Sequence, residues 1–154
     1  MAAVCAVVAG VAVVPSPASA AEGAAVLSLR NRATWKCLDS RLETVYAKTC
    51  TFNLNQSWLV VMLSDGHYIF QNLATAKCLD SNAAGAAYTR KCDTKNHYQQ
   101  WRSSGPLNYL NRATGRALDS NARVVGSADP DLGSVYTRPL NDGEYQKWNV
   151  LKKP

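Results

Sequence analysis

One pattern recurs three times and restricts the fold more than any other feature of the chain. Asn31-Arg32-Ala33-Thr34, Asn72-Leu73-Ala74-Thr75 and Asn111-Arg112-Ala113-Thr114 are followed by Leu38-Asp39-Ser40, Leu79-Asp80-Ser81 and Leu118-Asp119-Ser120, with eight residues from Asn to Asp in every copy. Each copy then carries Val45-Tyr46, Ala87-Tyr88 or Val135-Tyr136, and closes on Gln56-Ser57-Trp58, Gln99-Gln100-Trp101 or Gln146-Lys147-Trp148. The repeats run over residues of about 27–66, 67–106 and 107–154. Self-similarity at a period of roughly 40 residues marks a fold assembled from equivalent units that bury their faces against one another.

Inside each copy the apolar residues alternate, which is the strand period. Four and two residues before each repeat Asn stand Leu27 and Leu29, Tyr68 and Phe70, and Leu107 and Tyr109. The Leu-Asp-Ser segment, the segment around the tyrosine and the stretch opening at each Trp supply three more short strands per copy. Asn82, Gly85, Gly115, Asp142 and Gly143 separate them as turn formers. No stretch carries a helical stripe, so the pattern predicts an all-β fold of twelve short strands in three four-stranded units, closed about a threefold axis. The chain of 154 residues has room for one such domain and not for a second sizeable one.

The first twenty residues read differently. Ala2 to Val14 is an unbroken run of small apolar residues, followed by Pro15, Ser16 and Pro17 and then Ala18-Ser19-Ala20. That is the pattern of a secretory signal peptide over residues 1–20, although no basic residue precedes the run; it is too short for the roughly 20 residues of a membrane-spanning helix. Its removal takes Cys5 away and leaves Cys37, Cys50, Cys78 and Cys92, an even count that points to disulfides in an exported chain. Four cysteines allow three pairings. Separations of 13 and 14 residues, in similar surroundings, favour Cys37–Cys50 and Cys78–Cys92. No metal is expected: there is no C-x-x-C pair, and His67 and His97 lack ligand spacing to each other or to the thiols.

Three copies that each contain C-L-D or A-L-D and end in Q-x-W resemble the ricin B-type lectin repeat, which is similar to the family-13 carbohydrate-binding modules of secreted bacterial enzymes. The resemblance covers residues of about 27–151 and implies a β-trefoil. In the third copy Ala117 and Leu140 stand at the cysteine positions, so an apolar contact is expected there in place of a bridge. That copy also has an insertion: Asp119 to Tyr136 spans 17 residues against 7 and 8 in the others, a surface loop holding Asp129-Pro130-Asp131 and Gly133.

The resemblance also implies a shallow sugar pocket in each copy. Sugars offer paired hydroxyls to carboxylates and amides, and a C–H face to an aromatic ring. Carried over by motif, the carboxylates are Asp39, Asp80 and Asp119. The polar position before each Gln becomes Asn55, Tyr98 and Tyr145, and the glutamines are Gln56, Gln99 and Gln146. Only the first copy keeps an Asn-Gln pair, which makes it the best candidate site. Family glutamines also tie down local backbone or the neighbouring Asp, and Trp58, Trp101 and Trp148 are expected in the core.

Where sugar-binding copies usually carry the stacking aromatic, this chain has Lys48, Arg90 and Arg138. Tyr46, Tyr88 and Tyr136 stand two residues earlier on the same side of the strand. Two readings stay open: the tyrosines take over stacking, or the basic residues pair with Asp39, Asp80 and Asp119 and the pockets are vestigial. Trp35, opposite Ala76 and Gly115 in the other copies, is either a surface ring available to a ligand or packed back on the barrel end, and packing is favoured.

A formal charge of +6 from 17 scattered Lys and Arg does not make a nucleic-acid site. It does fit an acidic glycan, such as a uronic-acid-bearing or sulfated polysaccharide. The repeated Asp has no second carboxylate at recurring spacing, so no enzyme is expected, and no cofactor. The reading is therefore a secreted, extracellular, monomeric lectin that binds a polysaccharide or glycan at several weak pockets, with no nucleic-acid or membrane partner. The alternative is a protein-binding trefoil, an inhibitor or adhesin, that uses the long third-copy loop.

Overall fold

The computed structural model describes residues 24–152; the signal-peptide reading, with Cys5, lies outside them. Twelve strands follow in order: β1 (Ala24–Asn31), β2 (Cys37–Arg41), β3 (Thr44–Lys48), β4 (Trp58–Met62), β5 (Tyr68–Asn72), β6 (Lys77–Ser81), β7 (Ala87–Lys91), β8 (Trp101–Ser104), β9 (Asn108–Asn111), β10 (Ala117–Ser120), β11 (Gly133–Arg138) and β12 (Trp148–Lys152). Four strands therefore come from each repeat.

They divide by what they pair with. β12, β1, β4, β5, β8 and β9 form an antiparallel series, and the Trp148 amide donates to the Leu107 carbonyl (2.9 Å) to join its two ends. The remaining strands are three hairpins, β2–β3, β6–β7 and β10–β11. The hairpins touch one another through β3–β7, β3–β11 and a bridge from Ala86 to Tyr136. A six-stranded barrel capped by a triplet of hairpins is the β-trefoil.

The period-two residues fill its centre. Leu29, Phe70, Leu38, Leu79 and Leu118 lie there with Trp58, Trp101 and Trp148, which are fully buried. Each indole N–H donates to the carbonyl of the Leu in its own Leu-Asp-Ser motif: Trp58 to Leu38 (3.0 Å), Trp101 to Leu79 (3.1 Å) and Trp148 to Leu118 (3.1 Å). A buried N–H without a partner would be costly, so the same bond recurs wherever the Trp does.

The repeat Asn closes the ring of units. Asn31, Asn72 and Asn111 each accept from backbone amides of their own turn. Their amide groups then reach the preceding unit, donating to the carbonyls of Tyr145, Asn55 and Tyr98 at 2.7 Å in all three cases. A short side chain that satisfies a turn and a neighbour together explains why Asn recurs while the residue after it does not.

Both disulfides form as the spacing suggested, Cys37–Cys50 and Cys78–Cys92. The third repeat replaces its bridge only in part: Ala117 is fully buried, but Leu140 is 40% exposed. Gly85 is a place where the chain requires glycine. It sits at φ +94°, and a Cβ there would stand 2.6 Å from the Thr137 carbonyl oxygen of the next hairpin. Each repeat also contains one turn of 3-10 helix that the apolar pattern does not announce, at Leu54–Gln56, His97–Gln99 and Glu144–Gln146.

Candidate functional site

Each hairpin of the triplet places the motif Asp directly opposite a tyrosine. The cross-strand partners are Asp39 and Tyr46, Asp80 and Tyr88, and Asp119 and Tyr136. Each pair lines an open hollow. The first repeat's, about 300 Å³, also has Lys48, Thr49 and Asn55 in its wall. The second repeat's, about 410 Å³, has Arg90 and Tyr98; the third's, about 210 Å³, has Arg138 and Tyr145. These volumes fall below or in the lowest part of the ~300–1,000 Å³ typical of sites for drug-sized ligands, so each suits about one small ring.

The carboxylates lie on the floors of these hollows and are only 2–4% exposed, deeper than the outward position the sequence suggested. They are held from behind. Gln56 Nε2 donates to Asp39 (3.1 Å), Gln99 Nε2 to Asp80 (3.0 Å) and Gln146 Nε2 to Asp119 (3.0 Å). The same amide groups donate to the carbonyls of Thr49, Lys91 and Pro139, and their oxygens accept from Thr51 and Phe52, from Asp93, and from Asn141. All three glutamines are buried, with 0–2% exposure. They are positioning residues, with both N–H donors of each amide already used, because the 3-10 turn that ends on each Gln aims its side chain inward.

In front of each carboxylate stands the tyrosine. Burial, with Asp39 beside it, pushes the Tyr46 phenol up to about 12; burial and the facing Asp80 or Asp119 raise Tyr88 and Tyr136 in the same way. Asp39 Oδ1 has no hydrogen-bond donor among the described residues. Asn55 donates to the Ser40 carbonyl (2.6 Å), which fixes it in the wall of the first hollow.

The basic residues do not pair with the motif carboxylates. Lys48 stands opposite Cys37 in the ladder, two residues along from Asp39, and bonds Asp129 at 3.0 Å. The Arg90 and Arg138 guanidinium groups lie over the Tyr88 and Tyr136 rings at 5.1 and 4.9 Å. Neither takes part in the ion pairs found among the described residues.

One set of wall residues was not singled out for the site in the sequence. Arg41, Asn82 and Asn121, each two residues after the motif Asp, line all three hollows; that constant offset is the signal that could have found them. Tyr98 and Tyr145, which break the Asn pattern, put half-exposed rings into the second and third hollows.

The third-repeat insertion, residues 121–132, lies against the first repeat and not free in solvent. Asp131 accepts from the Thr49 amide (3.0 Å) and hydroxyl (2.7 Å). Lys36 Nζ donates to the carbonyls of Ala122 (2.9 Å) and Asp131 (2.7 Å). The Asp131 amide and the Lys48 ammonium hold the Asp129 carboxyl below the usual carboxylate range, and Asp129 in turn raises Lys48. Both acidic side chains of the loop are thus engaged by this chain, and the loop buttresses the rim of the first hollow. Removing it would disturb the first hollow, contrary to the independence its sequence position suggests.

A β-trefoil with a Gln-held Asp beside an aromatic ring in each repeat is the arrangement that the ricin B-type resemblance implies. Residues 25–148 match the model of the ricin-type beta-trefoil lectin domain, and the chain belongs to that family. Comparison with curated protein sequences finds no match. Among solved structures it is similar to the designed threefold-symmetric protein ThreeFoil, with 26% identity over 83% of this chain and 99% of that one and a TM-score of 0.69. It is also similar to the C-half of an earthworm R-type lectin in complex with GalNAc (14% identity, 84% and 99% coverage, TM-score 0.64). A third likeness is to an exo-β-1,3-galactanase from Clostridium thermocellum (18% identity, TM-score 0.67), of which 84% of this chain covers 30%.

Proposed function

We propose that the protein is a secreted, non-catalytic lectin that holds a polysaccharide or glycan at several points, one shallow hollow per repeat. One observation carries this reading: an Asp fixed by a buried Gln, facing a Tyr across the hairpin, occurs three times over. A carboxylate with its rear valence satisfied and its front aimed at a hollow accepts hydroxyl protons, and the ring beside it offers an apolar face to sugar C–H bonds. A glycosidase needs two carboxylates across one bond, and each floor has one. Export is supported by the two disulfides and by the apolar leader.

Three equivalent weak sites on one body favour a polymer, because simultaneous contact raises avidity by roughly 10²–10⁴. The free guanidinium groups of Arg90 and Arg138 support an acidic glycan at the second and third hollows, whereas Asp129 neutralises Lys48 at the first.

The test is retention on immobilised β-1,3-galactan and polygalacturonate, the galacto ring configuration being common to the GalNAc and galactanase likenesses. Asp39→Asn, Asp80→Asn and Asp119→Asn keep an oxygen for the bond from Gln, remove the charge and turn the other acceptor into an N–H donor. Each should weaken galactan retention about tenfold more than it weakens binding of free galactose. Equal losses would remove avidity from the mechanism. Retention on polygalacturonate should fall with salt, as screening within about 8 Å requires, and fall again in Arg90→Gln/Arg138→Gln. Failure of the wild type to bind either polymer or galactose would overturn the reading.

A further inference from the structure

Trp35 is the one tryptophan that the core does not use. It is 65% exposed, whereas Trp58, Trp101 and Trp148 are fully buried. It also occupies a left-handed backbone position, φ +61°, at the tip between β1 and β2. The same turn bond to the repeat Asn carbonyl is made by Trp35, Ala76 and Gly115, and the latter two share the left-handed conformation at φ +54° and +68°. Glycine suits this position best and a large side chain suits it poorly. Trp35 therefore carries both backbone strain and exposed apolar surface, with no burial in return.

Its ring is held in place. The Arg30 guanidinium lies against one face, 4.4 Å from the ring centroid, and Arg30 Nε is buried with no other partner. The Trp35 carbonyl oxygen is 3.6 Å from Cys50 Sγ. Cys50 is flanked by Thr49 and Thr51, both of which line the first hollow. The next residue, Lys36, is tied to the third-repeat insertion, and the insertion to Thr49. Ring, disulfide, insertion and hollow rim thus form one connected unit. The second repeat has the same carbonyl-to-sulfur approach, Ala76 to Cys92 at 3.6 Å, but no ring on it.

We propose that Trp35 is a fourth carbohydrate contact, an aromatic platform carrying the pyranose unit next to the one seated over Asp39. The first repeat then takes an oligosaccharide, while the second and third take single rings. This rests on the first hollow being a sugar site. Recognition would be by stacking of the C–H face of a sugar on the indole, with the sugar hydroxyls left in solvent.

The test uses galactose and a β-1,3-linked galactotetraose on the full chain carrying Asp80→Asn and Asp119→Asn, so that the first hollow is read alone. The tetraose should bind about tenfold more tightly than galactose. It should protect tryptophan fluorescence from acrylamide, a signal that comes from Trp35 because the other three indoles are buried, and galactose should not. Trp35→Ala, the residue of the second repeat, and Trp35→Gly, matching Gly115, should each abolish the tenfold gain and leave the galactose arm unchanged. Asp39→Asn should weaken both ligands. A tetraose that binds no better than galactose, or a gain that survives in Trp35→Gly, would overturn the platform and leave the hollow standing. Absence of binding to both sugars would overturn the hollow as a galactoside site and the platform with it.

Discussion

Replacing Cys37, Cys50, Cys78 and Cys92 together by Ala should destabilise the protein by about 6 kcal/mol, enough to leave much of it unfolded at room temperature. The bridges close loops of 13 and 14 residues, and a loop of that size is worth about 3 kcal/mol in the chain-entropy model. Domains of this kind carry only about 5–15 kcal/mol in total. Either pair removed alone should leave a folded protein, because the third repeat shows how a unit stands without its bridge. There Gln146 donates to the Pro139 carbonyl and accepts from the Asn141 amide, the same pair of bonds that Gln56 and Gln99 make beside their disulfides, and in the third repeat they hold the loop without sulfur. Urea unfolding followed by circular dichroism checks this. A fourfold variant that loses less than about 2 kcal/mol would mean that the unfolded chain is already constrained.

Trp101→Ala should cost about 3–5 kcal/mol, the range for truncating a large buried aromatic. The indole is fully buried at the junction of β5 and β8, and its N–H is the partner of the Leu79 carbonyl, which would be left buried and unpaired. Trp35→Ala provides the contrast within one experiment: the same side chain is deleted from an exposed, left-handed position and stability should hardly change. Equal losses at the two sites, measured by urea unfolding, would contradict the division between core and surface indoles.

How much of this was legible depended on whether a residue's partner lay inside its own repeat. The threefold plan, the strand period, the disulfides and the buried Q-x-W tryptophans could all be read, because each is fixed by spacing within one unit. The insertion could not: Lys48 and Asp129 are far apart in sequence, and only closure of the trefoil brings the third repeat against the first. Of the two open readings, pairing of the basic residues with the motif carboxylates fails for a reason of register. The ladder sets Tyr46, and not Lys48, opposite Asp39, and Lys48 pairs with Asp129 instead. The glutamines were legible with their tie to the neighbouring Asp and to local backbone, whereas the one-turn 3-10 segment that turns them inward, having no apolar stripe, was not. Trp35 was expected to pack because burial rewards a large ring; a tight left-handed turn leaves it nowhere to go but outward.

The central claim is that sugars meet the chain over Asp39, Asp80 and Asp119. The most direct measurement is a galactose titration followed by amide chemical shifts. The account predicts perturbations confined to the three hairpin hollows, each removed in turn by Asp39→Asn, Asp80→Asn or Asp119→Asn. Shifts that persist in the triple Asp→Asn variant, or that map to the tip of the insertion around the fully exposed Val125, would contradict it.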